Sequence, residues 1–331
     1  MKSAQAVLAA VLRTVIAAVL GFACLFVSGA SAQAPAYPSK VVRMVVPFPP
    51  GGGFDGIARP FSEKLGAILG QPVVLDYRAG AGGNIGVEYA AHSAPDGYTL
   101  LFANVSLTSN PAIWKTVNYD AVKDFAAISR VGIASSALAI HPSVPAKDLK
   151  ELMAYAKTKP LNFASPGVGT SSHLIGEMMN LEGILSLVHI PYKGTAPAVA
   201  DAIGGQLDAV MVPLVSLAQH IRAGKLRGIA VSSGHRVSLM PELPTFVELG
   251  FPQVQSDTWY ALFAPTGTPE PVLRRLSEAS VQALAQPEVI ERLKKAGYEP
   301  GSSSPDALAA LVKSELARWN RMATEAKIPK Q

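Results

Sequence analysis

The stretch Val41-Val42-Arg43-Met44-Val45-Val46-Pro47-Phe48-Pro49-Pro50-Gly51-Gly52-Gly53-Phe54-Asp55 decides the fold class. It starts with a run rich in β-branched residues that stops at a proline, the pattern of a buried strand. Three glycines then turn the chain, and Ile57, Phe61, Leu65 and Ile68 follow at helical spacing. A strand feeding an amphipathic helix through a glycine-rich turn is half of a βαβ unit.

Outward from there the unit recurs. Val73-Val74-Leu75 precedes the helix after Asn84, and Thr99-Leu100-Leu101-Phe102 is a further strand. Asn162-Phe163-Ala164 leads into a helix from Ser171, and Val188-His189-Ile190 into one near Ala196. Ala209-Val210-Met211-Val212 and Gly228-Ile229-Ala230-Val231 complete the series. Strands alternating with helices predict an α/β fold built on a mainly parallel sheet.

The units are too many for one small sheet, and about three hundred residues exceed what one core usually holds. Residues 128–140 form a long extended run, and residues 257–264 contain Trp259-Tyr260-Ala261-Leu262-Phe263; both read as crossovers between two lobes. Lobe 1 is expected over residues 33–134 together with 259–331, and lobe 2 over residues 135–258. The C-terminal helices, carrying Leu308, Val312, Leu316 and Trp319, are expected to pack back on lobe 1. A discontinuous lobe implies a cleft.

The beginning of the chain carries an address. Lys2 and Arg13 precede an apolar run over residues 14–27 and the small-residue segment Ser28-Gly29-Ala30-Ser31-Ala32. This is the layout of a signal peptide over residues 1–32, cleaved after Ala32. Cys24, the single cysteine, would leave with it. Gly21 stands three positions before Cys24, where a lipoprotein signal wants a branched aliphatic residue. The mature chain would then hold no thiol, which excludes disulfides, thiolate catalysis and cysteine-ligated metal. Of the 29 basic residues Lys2 and Arg13 would also depart, leaving 27 against 24 acidic ones, a charge of +3. That mild excess without basic clusters argues against nucleic acid as a partner and favours small anions.

Four turns, each following a strand, are the candidates for chemistry. Residues 47–55 end in Asp55, which is placed to cap the helix, while the glycines let the backbone approach an anion. Residues 78–86 contain Gly80-Ala81-Gly82-Gly83-Asn84, yet Ile85 stands where a dinucleotide loop needs its third glycine. No Gly-Lys-Ser/Thr follows a glycine run either, so phosphate-loop chemistry is excluded. Residues 165–173 place Thr170 and Ser171 over a helix start, as a cap or as donors to a carboxylate. Residues 189–197 bring Tyr192, Lys193, Gly194 and Thr195, of which Lys193 either adds positive field or faces water. In open α/β sheets ligands bind at this carboxyl edge of the strands. The six histidines, at positions 92, 141, 173, 189, 220 and 235, show no metal-ligand spacing, and no cofactor is expected.

These segments resemble the Bug-type receptors of tripartite tricarboxylate transporters. The resemblance rests on residues 46–55, on Gly80-Ala81-Gly82-Gly83 with Gly86, and on Pro95-Asp96-Gly97-Tyr98-Thr99-Leu100. Tyr192-Lys193-Gly194, Ala223-Gly224-Lys225-Leu226-Arg227 and Leu243-Pro244-Thr245 extend it over the whole mature chain. It implies a type II periplasmic-binding-protein fold, with two α/β lobes around a ligand cleft. It also implies a small carboxylate ligand, location in the periplasm, and membrane permease subunits as partners of a monomer. The expected ligand-binding residues are Phe48, Pro49, Gly52, Phe54, Asp55, Asn84, Asn104, Gly169, Thr170, Ser171, Tyr192, Lys193, Gly194, Thr195 and Asp208. Gly53, Tyr77 and residues 213–215 depart from the family pattern and bear on which ligand is held.

Two alternatives stand beside transport. The same closed receptor could signal to a membrane sensor kinase. A hydrolase could use Ser171 or Ser172 with His173, but no Gly-x-Ser-x-Gly elbow stands at a strand-to-helix turn.

Overall fold

The structure, a computed structural model, describes residues 37–325 with Ile328 and Lys330. The expected signal peptide, residues 1–32, and Cys24 lie outside the described residues. The chain divides into Met1–Tyr37 and Pro38–Gln331, and everything below concerns the second unit. Among the described residues no helix is long and apolar enough to cross a membrane.

Ten strands carry the architecture: β1 (Val42–Val46), β2 (Val73–Tyr77), β3 (Thr99–Asn104), β4 (Phe125–Ile140), β5 (Leu161–Ser165), β6 (Leu187–Pro191), β7 (Ala209–Pro213), β8 (Arg227–Val231), β9 (Asp257–Pro265) and β10 (Glu299–Pro300). Their order is β2-β1-β3-β9-β4-β7-β5-β6, with β8 and β10 also paired to β4. The outer strands are parallel, β2-β1-β3 on one side and β7-β5-β6 on the other. The central pairings, β3 with β9, β9 with β4, and β4 with β7 and β8, are antiparallel. The sequence therefore predicts the parallel wings correctly, while the long strands between them reverse direction.

β4 is the structural spine. Residues from Phe125 to Ser135 pair with β9, and residues from Ser136 to Ile140 pair with β7 and β8, so one strand serves two sheets. The return passes beside it. Ser136 N–H donates to Ser232 Oγ at 3.0 Å, and Ser232 Oγ donates to the Ser256 carbonyl at 2.7 Å, immediately before β9 begins. Small hydroxyl residues suit this place because they satisfy backbone groups where the regular ladders part.

Beyond Ser136 the strands are apolar on both faces, as buried strands flanked by helices must be. Leu138, Ile140 and Met211 join a core with Phe163 and Ile175, while Ala137, Val210 and Val212 alternate to a core with Leu226 and Met240. Before Ser136 the core gathers Val45, Leu101 and Phe263 with Val312 and Trp319 of the helix Pro305–Glu325. The C-terminal helix thus packs on the sheet holding β1 and β3, as its apolar spacing predicts.

Candidate functional site

Between the two sheets lies a cavity of about 210 Å³. The turn after β1 contributes Phe48, Pro49, Gly52, Gly53 and Phe54, and Asn104 ends β3 above it. The turn after β5 contributes Pro166, Thr170, Ser171 and Ser172, and the turn after β6 contributes Lys193, Gly194, Thr195, Ala196 and Pro197. Pro213, Thr258 and Tyr260 close it from β7 and β9.

Three helices start at this cavity: Gly53–Leu69, Ser171–Leu181 and Thr195–Ile203. The first N–H groups of a helix have no intrahelical acceptor and carry the positive end of its dipole. In Gly53–Leu69 the N–H groups of Asp55 and Gly56 turn back to the Gly52 carbonyl. In Ser171–Leu181 the His173 N–H is taken by Thr170 Oγ1 at 3.4 Å. Among the described residues no acceptor takes the first two N–H groups of each helix, which leaves them for whatever occupies the cavity. Its lining holds no Asp, Glu, Arg or His, and Lys193, exposed at the rim, is its one cation. Such a site favours a small anion.

The helix starts are fixed by local chemistry. Thr170 Oγ1 donates to the Gly167 carbonyl at 2.7 Å while capping His173, so its hydroxyl is fully engaged in the turn. Gly169 has φ +82°, and a Cβ there would lie 2.0 Å from Asn110 Oδ1, so only glycine fits. Its carbonyl accepts from Ser109 Oγ at 2.5 Å. Beneath the turn two imidazoles pack together: His173 and His189 have ring centroids 4.1 Å apart and planes tilted by 31°. Gly169 N–H donates to His173 Nδ1 at 3.3 Å, and His189 Nε2 meets Ser165 Oγ at 2.7 Å. Burial pushes His173 down to about 3, with the neighbouring His189 adding to it, and burial pushes His189 down to about 4. Both rings are neutral supports of the turn.

The expected site residues divide. Phe48, Pro49, Gly52, Phe54, Asn104, Thr170, Ser171, Lys193, Gly194 and Thr195 all line the cavity. Gly169 stands behind it. Asp55 does not cap its helix: the cap position is Gly52, and the Asp55 carboxylate sits one turn in, bound by Tyr77 and by Arg59 Nη2 at 3.0 Å. Burial pushes its carboxyl up, but the hydrogen bonds from Tyr77 and Arg59 outweigh this and hold it below the usual range. Asp55 faces a neighbouring cavity with His220 and Tyr298. Asn84 turns inward, its Oδ1 accepting from Asn110 Nδ2 at 2.7 Å. Tyr192 donates its hydroxyl to Asp201 at 2.6 Å and borders a third cavity with Trp114 and residues 79–83. The turn expected to be the second anion loop therefore lines that side cavity, not the central one. Asp208 precedes β7, at the strand end opposite Pro213, and binds Lys159 and the Asn162 N–H, each at 3.0 Å.

Tyr260 and Thr258 line the cavity without being expected from sequence, and Pro213, among the residues expected to bear on which ligand is held, lines it with them. Thr258 and Tyr260 alternate along β9, so they share a face, but that face was hidden in an apolar run.

The hydrolase arrangement is not assembled. Ser171 Oγ pairs with Thr258 Oγ1 at 2.5 Å and Ser172 Oγ with Ser136 Oγ at 3.3 Å, while His173 Nε2 lies 3.6 Å from Glu177. Ser165, which does meet a histidine, is fully buried and absent from the cavity lining. Among the described residues no group of three or more His, Cys, Asp or Glu could hold a metal ion.

Two α/β sheets joined by the shared strand β4, with helix starts converging on the space between them, define a periplasmic binding protein. The solved periplasmic binding protein BugD has this fold, with a TM-score of 0.84 at 35% identity over 89% of this chain and 100% of that one. The chain belongs to the family described as tripartite tricarboxylate transporter family receptor, whose sequence signature matches residues 57–328. BugT of Bordetella pertussis is 36% identical over 314 residues, 92% of this chain and 95% of the relative. An R. palustris protein solved with adipate has a TM-score of 0.84 at 30% identity, covering 89% of this chain and 100% of that one.

Proposed function

We propose that the protein is a receptor that captures a small carboxylate in the periplasm and delivers it to the membrane permease subunits of a tripartite tricarboxylate transporter. The observation that carries this reading is the convergence of three helix starts on one cavity without an acidic side chain. A carboxylate there accepts from free backbone N–H groups and meets three positive dipole ends. The adipate held by the R. palustris neighbour is consistent with the same class of ligand. Export by a signal peptide over residues 1–32 fits the charged, apolar and small-residue order of that segment.

Lobe 1, residues 33–134 with 259–331, and lobe 2, residues 135–258, close on the ligand through bending near Ser135 and Ser256. Because Ser171 and Thr195 belong to one lobe and Gly52 and Phe54 to the other, a bound anion bridges both. Its differential affinity for the closed form sets how far the population moves. Binding needs no covalent step, and the separation of Ser171 and Ser172 from His173 supports a receptor without catalysis.

Titration calorimetry against adipate and other small organic acids tests this. Saturable heat, with the acid recovered unchanged, is the expected result; absence of binding by every acid refutes the reading.

A further inference from the structure

Asn104 ends β3 and stands directly opposite Tyr260 in the antiparallel register with β9. Directly opposed residues leave the same face of a sheet with Cβ atoms roughly 5 Å apart, and both side chains line the cavity. Tyr260 is 1% exposed, its ring edge-on to Phe54 at 5.1 Å and stacked on Phe102 at 6.2 Å. Among the described residues its hydroxyl makes no hydrogen bond. Asn104 is 5% exposed, and its Oδ1 accepts from the Ser106 N–H at 2.9 Å and from Ser106 Oγ at 2.7 Å. Those two bonds fix the amide orientation and leave Nδ2 without an acceptor among the described residues.

The other hydroxyls already have protein partners, Thr170 in its turn, Ser171 with Thr258 and Ser172 with Ser136, whereas these two donors have none among the described residues. Thr195, at a helix start, belongs with the anion site. Neither donor is sealed from solvent; both residues line the cavity, and two adjacent donors without protein acceptors are available there to a ligand atom.

The surroundings say which atom. Tyr260 sits among rings, and burial pushes its phenol up, so it stays protonated and donates. The one lining cation, Lys193, is exposed at the rim. A second carboxylate against this pair would be buried without a counter-charge, which costs far more than burying a neutral oxygen between two donors. Phe48 and Phe54, stacked at 4.8 Å, form an aromatic wall that suits a flat apolar body. An apolar cavity of about 150 Å³ holds benzene, so about 210 Å³ leaves room for a ring with a carboxylate and one small substituent.

We propose that Asn104 and Tyr260 form a specificity site for a neutral oxygen, and that the ligand is an aromatic monocarboxylate bearing a hydroxyl group instead of a dicarboxylate. This rests on the carboxylate-receptor reading.

Calorimetry with benzoate, the three monohydroxybenzoates, adipate and malate tests it on the wild-type protein and on Tyr260→Phe. At least one hydroxybenzoate is expected to bind about 10-fold tighter than benzoate, the worth of one well-made hydrogen bond. Tyr260→Phe should erase that advantage, leave benzoate within about twofold, and hold the unliganded melting temperature, since no protein group loses a hydrogen-bond partner. Asn104→Asp, which keeps the acceptor for Ser106, should also erase the advantage, and it carries the test if Tyr260→Phe does not fold. Adipate or malate binding tighter than every aromatic acid overturns this inference but leaves the receptor reading standing. So do hydroxybenzoates no tighter than benzoate, or an advantage that survives in both variants. Failure of every acid to bind overturns both.

Discussion

From the β1, β3 and β9 side the cavity receives rings, prolines and two side-chain donors; from the β5 and β6 side it receives two helix starts supported by buried hydroxyls and imidazoles. The first side presents Phe48, Phe54 and Tyr260, whose shapes differ greatly from what another residue would offer. The second presents mainly backbone, which reads a negative charge and little else about the molecule carrying it. The helix start at Gly53 adds a third dipole end on the first side, so charge is met from both sheets while shape is set mainly by one.

The largest test breaks the backbone side. Gly169→Ala puts a methyl group at a positive φ and onto Asn110 Oδ1, so about 3 kcal/mol of stability should vanish in denaturant titration, together with measurable acid binding. A variant as stable as the parent would show that this turn is not the rigid anion platform described.

Acid attacks the same side through its supports. Unfolded histidines protonate near 6.5, whereas His173 and His189 stay neutral in the folded protein down to about 3 and about 4. Between those values the unfolded chain binds more protons, so stability is complete above pH 6.5 and falls as pH drops toward 4. Scanning calorimetry should show a melting temperature at least about 5 °C lower at pH 4.5 than at pH 7. His189→Asn should flatten the slope, and an unchanged slope would remove the imidazole pair as its cause.

Thr170→Val sharpens the distinction between cap and contact. Because the hydroxyl is engaged by Gly167 and His173, the loss should appear as about 1 kcal/mol of folding stability, with acid affinity changed only severalfold. A 100-fold affinity loss at constant stability would make Thr170 a direct ligand contact. Lys193→Ala should matter least, changing affinity within about 3-fold while slowing association and weakening its salt dependence, as stopped-flow mixing at two ionic strengths would show.

Much of this geometry was readable from residues alone. Runs such as Val42 to Val46 before a glycine turn report strand, turn and helix start because each step uses chemistry local to a few residues. The apolar segments around Ile133 and Leu262 stand out by length and are the two longest strands, of which the first is shared between the sheets. What escaped depends on distant partners. Asp55 looks like a cap until Tyr77 and Arg59, from a neighbouring strand and the next helical turn, claim its carboxylate. Asn84 looks free until Asn110 folds under it. Tyr260 is invisible as a ligand group because its role arises from the register between β3 and β9, strands more than 150 residues apart.

β4 is a single uninterrupted ribbon of 16 residues shared by both sheets. Neither half of the protein owns a complete set of edges without it, so the halves are not modules that can be exchanged between relatives by cutting at a linker. A recombinant chimaera split within it would leave β9 or β7 with one edge unpaired. Diversification in such a scaffold proceeds by replacing the turns and the few residues that face the cavity, while the ribbon itself is inherited whole.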